Sequence, residues 1–428
     1  APPATSAGSS VLSDSGGKPA TFPSAQKAPE GADLPRIAVI LPVLNEAKYL
    51  ERTLEQIVEQ KYPKDKLEVV VADGGSTDGT PDIARKFAVR LPDLQILHNK
   101  TGGPAGGRNM GVRHTSAPYV IVIDGHVHIP SRTLLADMVD LFRRTGADCL
   151  CRPQPLDPPD TNLFQLAIAR ARSSFLGHNP SSDIYSNVEK ETDPTSSGAM
   201  WKREVFGKIG EFDESLNACE DVDFNYRVKQ AGLKAWISPK LRVFYYPRDT
   251  VRGLWRQMFR YGFARYQFGR KHGVRNLFQI GAALGVIWFA FFGLLTILGA
   301  EGTDEPLGVA FNAYAAIMLL TTLLIAARAR KAEFIFSLPV IFPVIHFGLG
   351  CGFLWGWWKS RGTAKGGSAV VSESNVETTG KAKSRAQNKA QKARRKADKA
   401  ATKAAKAAEK AAKAAAKAEK KSQPPPAE

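Results

Sequence analysis

The chain has 428 residues, 43% hydrophobic and 23% charged, with 59 Lys and Arg against 41 Asp and Glu. Residues 359–428 hold 19 of the basic side chains and 6 of the acidic ones, so +13 of the +18 formal charge lies there and the rest of the chain carries +5. That length allows two or three structural units, and the confined charge argues against an enzyme built around a basic nucleic-acid groove.

Residues 1–34 are rich in Ala, Pro, Ser and Gly and should form a disordered leader, because they bury too little to offset the entropy of ordering. No secretory leader is expected, since the first apolar-periodic segment begins only at Arg36. A compact unit is expected over 35–266. Ile37–Leu41 reads as a buried strand stopped by Pro42, followed by a helix capped by Asn45 and buried through Leu50, Leu54, Ile57 and Val58. A second strand, Leu67–Ala72, runs into Asp73-Gly74-Gly75-Ser76, and a helix follows near Thr80–Val89.

A short strand near Leu94–Leu97, a helix from Ala105 to before Pro118, a strand over Tyr119–Ile123 and a helix over Leu134–Phe142 continue the alternation. Apolar strands alternating with helices predict an α/β fold with a mostly parallel central sheet, covered on both faces. Cys149 and Cys151 are expected as structural thiols on opposite faces of one strand, and no disulfide framework is expected from the four cysteines.

From Leu277 the chain turns strongly apolar. Leu277–Leu298, Leu307–Ala327 and Phe334–Trp358 are uncharged runs of 22, 21 and 25 residues, so 267–358 is predicted to hold two or three transmembrane segments. Arg328, Arg330 and Lys331 against Glu301, Asp304 and Glu305 place the preceding unit in the cytoplasm. Pro339, Pro343, Gly348, Gly350 and Gly352 interrupt the last run, which would otherwise send the basic tail outside; a re-entrant or interfacial segment is the alternative. Over 359–428, an Ala/Lys tract with Lys403, Lys406, Lys410, Lys413, Lys417 and Lys420 reads as a disordered or partly helical tail. Its alternatives are attraction to anionic lipid or another polyanion; specific nucleic-acid binding is not expected.

The candidate chemistry lies where strands end, at Pro42–Glu46, Asp73–Asp78 and Asp124–His126, the edge at which open α/β sheets bind ligands. Asp73 could meet a nucleotide base or ribose, or close a turn. Asp124 and His126 could share a divalent cation with a diphosphate, or Asp124 could cap a turn beside exposed histidines, with His128 nearby. Glu220-Asp221 could supply a general base and its orienting neighbour, or only favour a helix dipole; Asp223 either adds negative field or faces solvent. Gln257 and Arg260 share a helical face on which Arg260 could bind phosphate, with Tyr245, Tyr246, Arg248, Trp255 and Tyr261 close in sequence; an interfacial amphipathic helix is the other reading.

Over about Ile37 to Tyr261 these motifs resemble the family 2 glycosyltransferases. Leu41-Pro42-Val43-Leu44-Asn45-Glu46 is similar to the family's opening, and Asp73–Asp78 to its nucleotide-binding turn. Gly106-Gly107-Arg108-Asn109-Met110-Gly111 resembles its ARNxG segment with Gly107 for Ala, and Asp124-Gly125-His126 its DxD element with histidine last. Ser197–Met200 through Gly210–Glu214 resembles the acceptor-side segment, Glu220-Asp221 the ED pair, and Gln257–Tyr261 the QxxRW motif with Tyr for Trp. Within the family, the order is similar to membrane enzymes of the ExoA type that build succinoglycan-like exopolysaccharide.

The resemblance implies a GT-A-like nucleotide-sugar domain and a hexosyltransferase of the inner (plasma) membrane, multi-pass, with its catalytic domain cytoplasmic. It implies inverting transfer, from UDP-glucose by preference, to a polyprenyl-linked saccharide in extracellular polysaccharide or envelope glycan synthesis. Asp221 would act as base beside Glu220; Pro42, Glu46, Asp73, Arg108, Asp124, Gln257 and Arg260 would hold the donor, and Asp124 and His126 a Mg2+ or Mn2+ ion. The alternatives are a polyprenyl-phosphate sugar transferase and an inactive membrane-tethered, polyanion-binding scaffold.

Overall fold

The computed structural model describes residues 34–178, 182–216, 218–274, 277–302 and 304–363; nearly all of the expected leader and basic tail lie outside them. In chain order the first half runs β1 (Ile37–Val43), α1 (Ala47–Val58), β2 (Leu67–Asp73), α2 (Thr80–Arg85), β3 (Leu94–His98), α3 (Pro104–Arg113), β4 (Tyr119–Val122), β5 (Val127–His128), α4 (Leu134–Thr145) and β6 (Cys149–Cys151). Then follow α5 (Leu163–Ser173), β7 (Lys190–Glu191), β8 (Gly198–Lys202), α6 (Arg203–Ile209), α7 (Glu220–Gln230), β9 (Ala235–Ile237), β10 (Phe244–Tyr245), α8 (Val251–His272), α9 (Leu277–Ile297), α10 (Asp304–Ala329) and α11 (Phe334–Thr363).

The main sheet has the order β3-β2-β1-β4-β8-β6-β9-β7. Pairings among β3, β2, β1 and β4 are parallel, as the continuous apolar strands predict, and β8 inserts antiparallel between β4 and β6. Its central strands are buried on both faces; each fully buried Ile or Val there stabilises by roughly 1.5–3 kcal/mol. Helix α3 lies so close to β1 that a Cβ at Gly111 would stand 2.4 Å from Ile40, which only glycine permits.

Several local expectations are corrected. β1 continues through Pro42 to Val43. The Ile40 carbonyl turns toward Ile123 and the Val43 carbonyl toward Gly74, so by alternation Pro42 faces the β4 side, beyond the last β4 pair, where no amide is needed. Asn45 does not cap α1; it has φ +56° and its side-chain oxygen accepts the Thr77 amide at 2.9 Å, tying the first loop to the second. Cys149 and Cys151 are both buried in the same core cluster, because strand residues two apart share a face.

A separate apolar cluster joins Ala167, Ile168 and Ala171 of α5, Leu254 and Met258 of α8, and Phe334, Leu338, Ile341, Phe342 and Ile345 of α11. Helices α9, α10 and α11 are each long and apolar enough to cross a membrane, yet α11 is far more buried than the other two. Its glycines are contact points rather than breaks. A Cβ on Gly352 would stand 2.0 Å from the Phe259 carbonyl, and one on Gly262 of α8 2.0 Å from the Leu349 carbonyl. The α8 and α11 backbones therefore touch, as small residues allow between apolar helices.

Candidate active site

The loops after β1, β2 and β4 meet at the carboxyl edge of the sheet. The 45–47 amides donate to Ser76, Thr80 and Asp78, at 2.8, 2.9 and 3.0 Å, so the opening motif and the Asp73–Asp78 turn form one unit. Asp73 is buried and accepts the Gly75 and Ser76 amides at 3.2 Å; closing the turn is the role the structure shows. Thr53 of α1 donates to the Gly125 carbonyl at 2.9 Å and fixes the loop after β4. Pro42 packs beneath Gly107, whose Cβ, if present, would stand 3.1 Å away.

Arg108 on α3 is buried at the centre. It is hydrogen-bonded to Glu220 and lies 3.8 Å from Asp124. Burial alone would lower its pKa, but the charges of Glu220, Asp124 and Asp221 outweigh burial and raise it. Burial would raise Asp124, whereas Arg108, His126, Arg152 and the Tyr245 hydroxyl hold it below the ordinary carboxylate value. Asp124 therefore stays ionised with one quarter of its side chain open to solvent.

His126 presents Nδ1 to Glu46 at 2.9 Å. Burial lowers its pKa, Glu46 and Asp124 raise it and prevail, and Arg248 opposes them. With Nδ1–H donated to a carboxylate, the neutral ring has Nε2 as its free donor atom, the arrangement metal-binding histidines adopt. Among the described residues no group of three or more His, Cys, Asp and Glu is placed to hold a metal. Asp124 and His126 are near enough for each charge to act on the other, and among the described residues no third His, Cys, Asp or Glu completes a metal-holding group with them.

The two acids at the start of α7 have unlike surroundings. Glu220 is buried; burial raises its carboxyl pKa against the pull of Arg108. Asp221 is exposed and in no ion pair among the described residues; its carboxylate accepts only the Val222 amide at 2.8 Å. Asn225, one turn on, donates to the Gly198 carbonyl at 2.9 Å and accepts from Trp201 at 3.1 Å, docking α7 on β8. Asp223 neither faces solvent nor lines the cleft. It is fully buried against Arg227, Lys271 and His272, because α7 turns that residue inward to the end of α8.

The geometry therefore gathers Glu46, Arg108, Asp124, His126, Glu220 and Asp221. Gln257 and Arg260 stand apart on α8: Gln257 donates to Tyr261 at 3.4 Å, and Arg260 is exposed with no hydrogen bond or ion pair among the described residues. Sequence reasoning missed Arg152, which follows β6 and donates to the Tyr245 hydroxyl at 2.7 Å. A charged residue closing a buried strand at the ligand edge was the available signal. Tyr245 reaches Asp124 because β10 pairs with β5, directly after the Asp124 loop.

The glycosyl transferase family 2 profile matches residues 38–210. The succinoglycan biosynthesis protein ExoA of Rhizobium meliloti is 32% identical over 273 residues, 63% of this chain and 81% of that protein. The chain belongs to glycosyl transferase family 2. It is a nucleotide-sugar-dependent glycosyltransferase with a GT-A-like domain, followed by long apolar helices. A dolichyl N-acetyl-alpha-D-glucosaminyl phosphate 3-beta-D-2,3-diacetamido-2,3-dideoxy-beta-D-glucuronosyltransferase of Methanococcus voltae is 24% identical over 348 residues, 77% of this chain and 99% of that protein. Among solved structures, a Pyrobaculum calidifontis mannosyltransferase in complex with GDP-Man and Mn2+ aligns with a TM-score of 0.48 and 24% identity, covering 76% of this chain and 88% of that one.

Proposed function

We propose that this glycosyltransferase moves a hexose from a nucleotide sugar, UDP-glucose foremost, to a polyprenyl-linked saccharide, with inversion at the anomeric carbon. Its setting would be the synthesis of extracellular polysaccharide or envelope glycan at the inner membrane. The observation that carries the reading is the division between Glu220 and Asp221: one carboxylate is paired with Arg108, and its neighbour in the chain stands exposed and in no ion pair among the described residues. Two relatives support the acceptor class, one named for succinoglycan biosynthesis and one for transfer to a dolichyl phosphate sugar.

In this reading the acceptor hydroxyl gives its proton to the Asp221 carboxylate as its oxygen bonds to the anomeric carbon. The bond from that carbon to the diphosphate oxygen breaks on the opposite face, and the nucleoside diphosphate leaves. Glu220 holds Arg108 beneath the site, and Arg108 keeps Asp124 ionised. Asp124 and His126 would hold Mg2+ or Mn2+, which supplies charge neutralisation to the diphosphate. Glu46 would orient the His126 ring, and the Asp73 turn, with Pro42 beside it, would receive the nucleoside. Exposed Arg260, with Gln257, would meet phosphate at the membrane surface.

The catalytic unit, 35–266, would face the cytoplasm, because basic Arg328, Arg330 and Lys331 join α10 to α11 beside it, while Glu301 and Glu305 mark the far side. The test is incubation of membranes carrying the protein with a panel of radiolabelled nucleotide sugars, followed by analysis of the extracted lipid products. Label from UDP-glucose in a new sugar–sugar bond is expected. A labelled lipid phosphate with no such bond would establish the polyprenyl-phosphate reading instead, and no label from any donor would leave the inactive scaffold.

A further inference from the structure

Arg152 is 1% exposed. Its Nη2 donates to the Tyr245 hydroxyl at 2.7 Å, and its guanidinium carbon lies 5.9 Å from that ring's centre. Nε and Nη1 are buried with no hydrogen-bond partner. Among the described residues no carboxylate pairs with this side chain; its nearest link to one is through Tyr245 to Asp124. Arg108 also has an orphaned Nε, but it is compensated by Glu220 and Asp124. A second orphan adjoins Arg152: the Ser197 carbonyl accepts the Arg152 amide at 3.3 Å, while its buried hydroxyl has no partner.

A buried guanidinium with no anion in direct contact is costly, because it has lost water and the Asp124 charge compensates it only through space. Its planar fork of donors matches phosphate oxygens. The sheet indicates which phosphate. β6 and β4 run parallel, both being antiparallel to β8, so Arg152 and Asp124 leave their strands at the same edge. In the sheet order β2, which bears the Asp73 turn, is two places from β4 on one side; β6 is two places away on the other. Asp124 therefore separates the nucleoside turn from Arg152.

We propose that Arg152, with Ser197 and Tyr245 beside it, forms a phosphate subsite on the acceptor side of the cleft and binds the phosphate that joins the acceptor sugar to its lipid. The assignment of the acceptor rests on the transfer reading above; the anion subsite does not. The charge of Arg152 acts on the substrate phosphate directly, and its bond to Tyr245 couples that occupancy to the Asp124 loop.

The test uses the full chain in lipid nanodiscs, as wild type, Arg152→Met and Arg152→Lys. Inorganic pyrophosphate and UDP are titrated while thermal stability is followed, and KM and kcat are measured with a polyprenyl-phosphate-linked acceptor. Arg152→Met should raise the acceptor KM by about 10- to 100-fold, with Arg152→Lys intermediate, because charge-assisted bonds are lost. UDP binding should change by less than about 2-fold, since no such bond to UDP is removed. Pyrophosphate should stabilise wild type more than either variant. A loss confined to UDP binding would move the anion to the donor's diphosphate and overturn the acceptor assignment. Unchanged KM, UDP binding and pyrophosphate response in folded variants would overturn the subsite. If Arg152→Met does not fold, the contrast between wild type and Arg152→Lys decides alone. A protein inert with every donor that still binds pyrophosphate through Arg152 would sink the transfer reading and leave the subsite standing.

Discussion

Replacing Asp221 with Asn keeps the side chain's shape and removes its capacity to accept a proton at neutral pH. Turnover should fall about 10²- to 10⁴-fold with donor binding little changed. Near-normal turnover in a correctly inserted protein would reject Asp221 as base. Glu46→Gln leaves the His126 ring without its carboxylate. Metal affinity, read as the cation dependence of nucleotide binding, should weaken about 10- to 100-fold, the usual effect of losing such a partner. His126→Asp should shift selectivity toward hard cations; identical titrations in wild type and both variants would exclude His126 as a ligand. These residues were legible because each sits directly after a strand or opens a helix. Arg152 also follows a strand directly and so carried that signal, but the buried donors it leaves without partners show only in the packing. Asp223 was misjudged for a related reason: a short acidic run on a helix does not say which of its members turns inward.

The join between α7 and α8 is an ionic clamp at the scale of elements. Burial would raise Asp223, yet Lys271, His272 and Arg227 hold its carboxyl below the ordinary value, and Lys271 helps to push Asp213 down to about 2. For a depressed carboxylate, the stabilisation is complete above the unfolded-state pKa and is lost as pH falls through the folded one. The clamp should therefore weaken below about pH 4, the ordinary carboxylate range, and fail toward pH 2. Asp223→Asn should lower stability at neutral pH and flatten its acid dependence between those limits, read by thermal melts across pH; an unaltered acid limb would refute the clamp. The α8–α11 contact gives a second expectation at this scale. Gly352→Leu places a side chain where the Phe259 carbonyl already stands, so the helices must separate. The melting temperature should fall, while Gly308→Leu, at a helical position with open space around it, should be tolerated. Equal melting of the two variants would show that the contact contributes nothing. From sequence alone the α11 glycines read as interruptions, because the helix they fit against is some 90 residues earlier in the chain.

At the scale of the whole molecule, the third apolar helix decides how the chain sits in a bilayer. Hydropathy predicts three crossings, since α9, α10 and α11 all pass the same length and composition test. Packing separates them. α9 and α10 expose most of their surface, as lipid-facing helices do, whereas α11 runs alongside α8: Gly348 meets Met258, Gly352 meets Phe259, Gly356 meets Tyr266, and Ser360 bonds to the Tyr266 hydroxyl at 2.7 Å. α8 cannot sit in the hydrocarbon, because Arg252, Arg256, Arg260 and Arg270 are exposed along it and its last turn is clamped to Asp223 of the catalytic domain. α11 also touches α9 at Gly350 and bonds to Tyr314 of α10 through His346, but if it stays fastened along α8, with its first turns buried against α5, both its ends would lie on the catalytic side. We therefore predict two crossings, α9 and α10, with α11 interfacial, which reconciles the apolar third segment with the basic residues that follow it. Single cysteines at Glu301, Lys331 and Lys359, in a Cys351→Ser background, test this in sealed vesicles of known orientation. A membrane-impermeant maleimide should reach Glu301→Cys from the face opposite the catalytic domain, and Lys331→Cys and Lys359→Cys only from the catalytic face. Labelling of Lys359→Cys from the same face as Glu301→Cys would establish α11 as a third crossing and break the interfacial assignment.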